Sequence, residues 1–135
     1  MRRTFQVFIY GSLLPDQHNH HVVERFVIRS EKGKVAGRLV DYGPYPALIR
    51  DLKASNENTF VIGQWITVDE AGLAAMDELE QFYGYEESND YERVWVTDLV
   101  HDHLEGWVYI WDSDRGFPAI GQSYWPDFYA AKTTR

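Results

Sequence analysis

The sequence predicts an α+β fold organised around a mostly antiparallel, strongly curved sheet or small barrel. Three observations carry this reading. Apolar runs with strand character recur along most of the chain, only one segment keeps a helical period, and the two kinds do not alternate as βαβ units. Aromatic residues make up 16% of the chain, with five Trp and nine Tyr, which suits a β-rich core or an aromatic-lined pocket.

Taken in order, residues 5–10 are β-branched or aromatic apart from Gln6 and read as a buried strand that runs into Tyr10-Gly11-Ser12 and a Pro15-Asp16 turn. Residues 18–27 read as a short helix or helical turn, weakened by the Val22-Val23 pair. Residues 33–41 alternate well enough for one strand, and Tyr42-Gly43-Pro44-Tyr45-Pro46 forces an extended turn, because each residue before a proline is pushed away from helix. Residues 47–50 read as a short strand, 51–58 as a polar loop and 60–68 as the clearest strand of the middle region. Asp69 reads as the N-cap of a helix over residues 70–82. Residues 92–100 and 105–111 read as a hairpin joined by His101-Asp102-His103, and the tail from Ser113 onward shows no period.

At 135 residues the chain is expected to form a single domain, 1–135, which at this size buries roughly two-thirds of its unfolded surface without staples. Cysteine is absent, which excludes thiol catalysis and thiolate zinc sites, and agrees with a reducing compartment. Arg2 and Arg3 precede only a short apolar run, unlike a signal peptide, and no stretch approaches a membrane span, so the expectation is a soluble, cytoplasmic protein. A formal charge of −8 opposes nucleic acid and anionic membranes, which require a basic face. Small molecules are the better partners.

The helix carries one carboxylate on an unexpected face. At about 100° per residue, Leu73, Met76, Leu79 and Tyr83 form one apolar stripe, with Glu80 inside it, Asp77 at its edge and Glu78 roughly opposite. A carboxylate in an apolar wall must be paired, hydrogen-bonded or protonated, and desolvation raises its pKa toward the range of a base near neutral pH. Glu80 is therefore a candidate general base; the alternatives are that it snorkels from the last turn or pairs structurally with Arg93.

Four stretches, "VFIYGSLL", "GRLVDYGPYPALI", "MDELEQF" and "YERVWV", occur in an order that resembles the γ-glutamylcyclotransferase family, in its γ-glutamylamine cyclotransferase-like and AIG2-like branch, over most of residues 5–111. The resemblance implies a compact β-barrel-like fold with flanking helices around a central cavity. It also implies that Tyr10, Gly11, Ser12 and Leu13 hold the γ-glutamyl part of the substrate largely through backbone amides, and that Glu80 is the catalytic glutamate. Tyr91 and Arg93 are expected to border the cavity, and Tyr45 to line it. The implied reaction releases 5-oxoproline by intramolecular aminolysis, with no cofactor or metal, from a small γ-glutamyl amide whose leaving amine the sequence does not identify.

Two rivals keep the fold and change the role: a non-catalytic domain that binds a small molecule, and an acyltransferase that removes a γ-glutamyl group from a specialised metabolite. A metal site built from His18, His20 and His21 with His101 and His103 is disfavoured, because their spacing matches no common zinc pattern. Ser12 lacks the context of a nucleophile. The alternating Trp107, Tyr109 and Trp111 read as core and surface faces of a strand, and Glu86 to Asp90 as solvated loop.

Overall fold

Strand formation begins with β1 (Thr4–Ile9), in which Val7, Phe8 and Ile9 are all buried. A computed structural model describes residues 3–80 and 91–133 of the chain. Within them the expected helix at 18–27 is instead two 3-10 turns, His20–Val22 and Glu24–Phe26, closed by Val23 N to His20 O and Phe26 N to Val23 O. Helix-poor valines at 22 and 23 and the full burial of Val23 account for the tighter winding.

The single strand expected at 33–41 is two. β2 (Arg29–Ala36) and β3 (Arg38–Asp41) part at Gly37, whose φ of +148° takes the backbone where L side chains rarely go. β4 (Pro46–Ile49) follows, buried throughout. The segment read as polar loop then forms a short helix, α1 (Leu52–Asn56), started by Asp51, whose side chain accepts from Ala54 N at 3.0 Å. β5 (Phe60–Asp69) runs into α2 (Glu70–Leu79) through Asp69, which caps Gly72 N at 3.0 Å. The predicted helix continued to Phe82; α2 ends at Leu79 with Glu80 as its C-cap, and Phe82, Tyr83 and the acidic run 86–90 lie outside the described residues. β6 (Glu92–Thr97) and β7 (Glu105–Ile110) form the expected hairpin, and the tail holds β8 (Ala119–Ile120) and α3 (Trp125–Thr133), neither of which the sequence indicated. Tertiary anchors explain α3: Trp125 is fully buried and stacks on Tyr129, and Lys132 Nζ reaches Asp41 Oδ1 at 2.9 Å.

One eight-stranded sheet runs β2-β5-β1-β7-β4-β3-β8, with β6 also on β7. Its pairings are antiparallel except β1–β7 and β4–β7. Because a strand has two hydrogen-bonding edges and β6 occupies one along the whole of β7, β1 and β4 share the other in succession: Val7 faces Trp107 and Phe8 faces Val108, then Leu48 faces Ile110. At the far side Lys34 N donates to Asp98 Oδ1 and Leu99 N to Lys34 O, so the hairpin end curls back onto β2. The result is the curled, mostly antiparallel half-barrel that the pattern predicted, with one apolar cluster around Val7, Ile9 and Met76 and another around Phe8, Trp65 and Val108.

Candidate functional site

Where β1 gives way to β4 along β7, the chain leaves β1 at Tyr10. The buried Tyr10 hydroxyl donates to Tyr109 O at 2.7 Å and accepts from Leu48 N at 3.1 Å, so it ties β1, β7 and β4 together at their junction. Gly11 comes next. Its need for glycine is space rather than backbone strain, since a Cβ there would lie 2.7 Å from Pro46 Cγ. The following loop is pinned through its carbonyls: Leu14 N donates to Gly11 O, Asn19 N to Ser12 O, and the His20 ring donates from Nδ1 to Leu13 O at 2.7 Å. Asn19 also donates to Ser12 Oγ at 3.0 Å, which gives that hydroxyl a structural task. The amides of Gly11, Ser12 and Leu13 donate no hydrogen bond to the described residues, although all three residues are buried. Adjacent backbone amides left with hydrogen-bonding capacity suit an anionic group.

The end of α2 supplies the opposite charge. Glu80 N donates to Met76 O at 2.9 Å and Tyr91 N to Glu80 O at 3.2 Å, which fixes the backbone of the residue on both sides. As C-cap, Glu80 stands at the negative end of the helix. It is only partly exposed. Glu80 and the Gly11, Ser12 and Leu13 loop line one cleft of about 350 Å³, counting the space at its mouth, whose remaining wall includes Tyr10, Tyr45, Tyr91 and Tyr109. Tyr91 OH donates to Pro46 O at 2.7 Å and so holds the start of β4 against the cleft. Burial, and then the Glu80 charge, push the Tyr10 phenol well above its ordinary pKa, while its bond from Leu48 N acts the other way. The Tyr109 phenol is raised by burial, by its hydrogen bond to Asp77 and by the charges of Asp77 and Glu80, against Arg93. Both phenols stay protonated beside the carboxylate.

Of the residues singled out in the sequence, Glu80, Tyr10, Gly11, Ser12, Leu13, Tyr45 and Tyr91 come together on this cleft. Arg93 does not line it. Its guanidinium lies over the Trp107 ring and donates from Nη1 to both Asp77 oxygens at 2.9 and 2.7 Å, because β6 delivers it to the flank of α2 and not to the end of that helix. Arg93 thus pairs with the Asp77 carboxylate. Tyr109 and Pro46 line the cleft and were not foreseen; the strand alternation at 107, 109 and 111 placed Tyr109 on a face without saying what that face meets. Of the histidines, His18 stands 5.5 Å from the Tyr45 ring, His20 holds the loop, and His103 approaches Glu31. Among the described residues, no group of three or more His, Asp or Glu is arranged to hold a metal, and no helix is long and apolar enough to cross a membrane.

A family model described as gamma-glutamyl cyclotransferase, AIG2-like, matches residues 7–127, which include every residue of this cleft. The chain belongs to that family. Among its relatives in the γ-glutamyl cyclotransferase family, it is 35% identical over 112 residues to the gamma-L-glutamyl-butirosin B gamma-glutamyl cyclotransferase of Niallia circulans, over 80% of this chain and 67% of that protein. Its fold is similar to YkqA from Bacillus subtilis, with a TM-score of 0.71 at 18% identity over 98% of this chain, and the chain spans 44% of the length of YkqA. An AIG2-like protein from Mus musculus is similar at a TM-score of 0.69 and 21% identity, over 90% of this chain and 88% of that one.

Proposed function

We propose that this member of the γ-glutamyl cyclotransferase family releases 5-oxoproline from a γ-glutamyl amide, with Glu80 as general base. The observation that supports this most is the single cleft shared by the Glu80 carboxylate and the undonated amides of Gly11, Ser12 and Leu13. The substrate's α-amine attacks its own γ-carbonyl carbon, a new C–N bond closes the five-membered lactam, and the bond to the leaving nitrogen breaks. Two protons pass from the attacking to the leaving nitrogen, and Glu80 carries them by accepting from the first and donating to the second. The carbonyl oxygen gains negative charge during attack, and the loop amides stabilise either that oxyanion or the substrate α-carboxylate. The cleft walls formed by Tyr10, Tyr45, Tyr91 and Tyr109 hold the flexible glutamyl chain folded, which supplies the proximity that the cyclisation needs.

No step in this scheme calls on a metal or cofactor. One relative is named as a γ-glutamyl cyclotransferase of γ-L-glutamyl-butirosin B, and a leaving amine of that kind is our reading for this chain as well. The test is a panel of γ-glutamyl amides with amino-acid, simple alkylamine and amino-sugar leaving groups, read by 5-oxoproline release. Turnover of at least one amide is expected, with preference for the bulkier amines. Tight binding of every amide with no 5-oxoproline would leave a binding domain and end the catalytic reading.

A further inference from the structure

His18 joins two walls of the cleft at its rim. Its neighbour Asn19 holds the amide loop twice, from N to Ser12 O at 2.9 Å and from Nδ2 to Ser12 Oγ at 3.0 Å, and His20 holds it again through Leu13 O at 2.7 Å. These bonds seat residues 18–20 along the loop. On the other wall, Tyr42 N donates to Tyr45 O at 2.9 Å and closes the turn that delivers Tyr45 to the cleft. The His18 ring lies 5.5 Å from that of Tyr45, centroid to centroid, and 6.0 Å from that of Tyr129 in α3. His18 is exposed and Tyr45 half-buried. Among the described residues, neither ring nitrogen of His18 nor the Tyr45 hydroxyl makes a hydrogen bond. The rim thus presents two tilted rings whose polar atoms are available to a ligand.

We infer that His18 and Tyr45 form the subsite for the leaving amine, and that His18 selects an amine bearing hydroxyl groups, of the amino-sugar class. This rests on the reading of the cleft as the γ-glutamyl site. At about 350 Å³ with its mouth included, the cleft lies near the lower end of the roughly 300–1,000 Å³ that ligand pockets occupy, so a glutamyl unit held at Gly11 to Leu13 leaves a large amine at the rim. There the ring faces cover the C–H surface of a sugar, while the imidazole nitrogens and the phenol pair with its hydroxyls. An alkylamine of the same bulk covers the rings and strips water from those polar atoms without replacing it, which costs affinity. The Tyr129 ring already carries the Lys132 ammonium, 5.8 Å from its centroid, so a ligand ammonium gains little there and hydroxyl groups are the feature left for the rim to read.

The experiment compares kcat/KM for the γ-glutamyl amides of methylamine, cyclohexylamine and glucosamine, using the whole chain as wild type, His18→Ala and His18→Phe. Wild type is expected to prefer the glucosamine amide to the cyclohexylamine amide, and no such preference would overturn the inference. His18→Ala is expected to lower the ratio of glucosamine to methylamine amide by about tenfold, the scale of one hydrogen-bonded contact. His18→Phe keeps a ring against Tyr45 and removes both nitrogens, so it is expected to lower the ratio of glucosamine to cyclohexylamine amide by a similar factor. If His18→Ala slows all three amides alike, His18 only props the loop or Tyr45, and the inference falls. It falls also if His18→Phe handles the glucosamine amide as wild type does, because the rim then reads shape and not hydroxyls. Should His18→Ala fail to fold, the ratio in His18→Phe decides alone. A wild type that turns over none of the amides would sink the proposed reaction. The same ratios are then read as dissociation constants by calorimetry, where a lost glucosamine preference in the variants supports the subsite and unchanged ratios overturn it.

Discussion

Gly11 and Pro46 meet with no room for a methyl group between them: a Cβ on Gly11 would lie 2.7 Å from Pro46 Cγ and 2.8 Å from Cδ. Both residues line the cleft, so the contact sets how closely the amide loop after β1 approaches the start of β4. Gly11→Ala should therefore lower stability by about 1–3 kcal/mol through overpacking, and lower kcat by spreading the loop. Calorimetry checks the first effect. Adding Pro46→Ala to Gly11→Ala should recover part of the loss, since the two sites share one contact and their effects are not additive.

Glu80→Gln keeps the size of the side chain and removes its capacity to accept a proton. The expected outcome is a fall in kcat of about a hundredfold or more, with little change in the binding of a γ-glutamyl ligand. Thermal stability should be kept, because a neutral amide of nearly the same size replaces a partly buried carboxylate. Turnover and melting temperature measured on one preparation decide the matter, and an active but destabilised variant would remove Glu80 from the mechanism.

Tyr10→Phe retains the buried ring and deletes one hydroxyl. That hydroxyl is the donor to Tyr109 O and an acceptor for Leu48 N, so its loss should cost about 1–3 kcal/mol. Urea unfolding should show a lower midpoint with an unchanged slope, since the surface exposed on unfolding is the same.

Acid stability should depend on Asp51. Its hydrogen bond from Arg38, and then that from Ala54 N, hold its pKa at about 2, below the ordinary value of 3.8. The folded chain thus releases this proton more readily than the unfolded chain, and the stabilisation is present above about pH 4 and lost as pH falls toward 2. Asp51→Asn should flatten that part of the stability profile while still capping α1, which chemical unfolding at a series of pH values would show.

Much of this was legible because the relevant signals are local. The run from Val7 to Tyr10, the alternation of β5 and the Asp69 cap each specify structure within about a turn or a few strand positions, and the helical phase of α2 put Glu80 toward the apolar side before any fold was known. The errors occur where a distant partner overrides weak local preference. Residues 29–32 are polar and exposed, yet they extend β2 because β5 offers them a ladder. α1 and α3 are short and depend on Asp51 and on the burial of Trp125.

By itself the sequence determined the curved α+β sheet, the helix that carries Glu80 and the family to which the chain belongs, since strand pattern, capping and motif order are written along the chain. Only the tertiary structure decided which groups meet. Tyr10 OH finds Tyr109 O across 99 residues of sequence, Tyr91 OH finds Pro46 O across 45, and Arg93 goes to Asp77 and leaves the cleft. Hydrogen bonds and ion pairs act over a few ångströms in space with no term for separation along the chain, so the choice of partner becomes readable only after the sheet has curled.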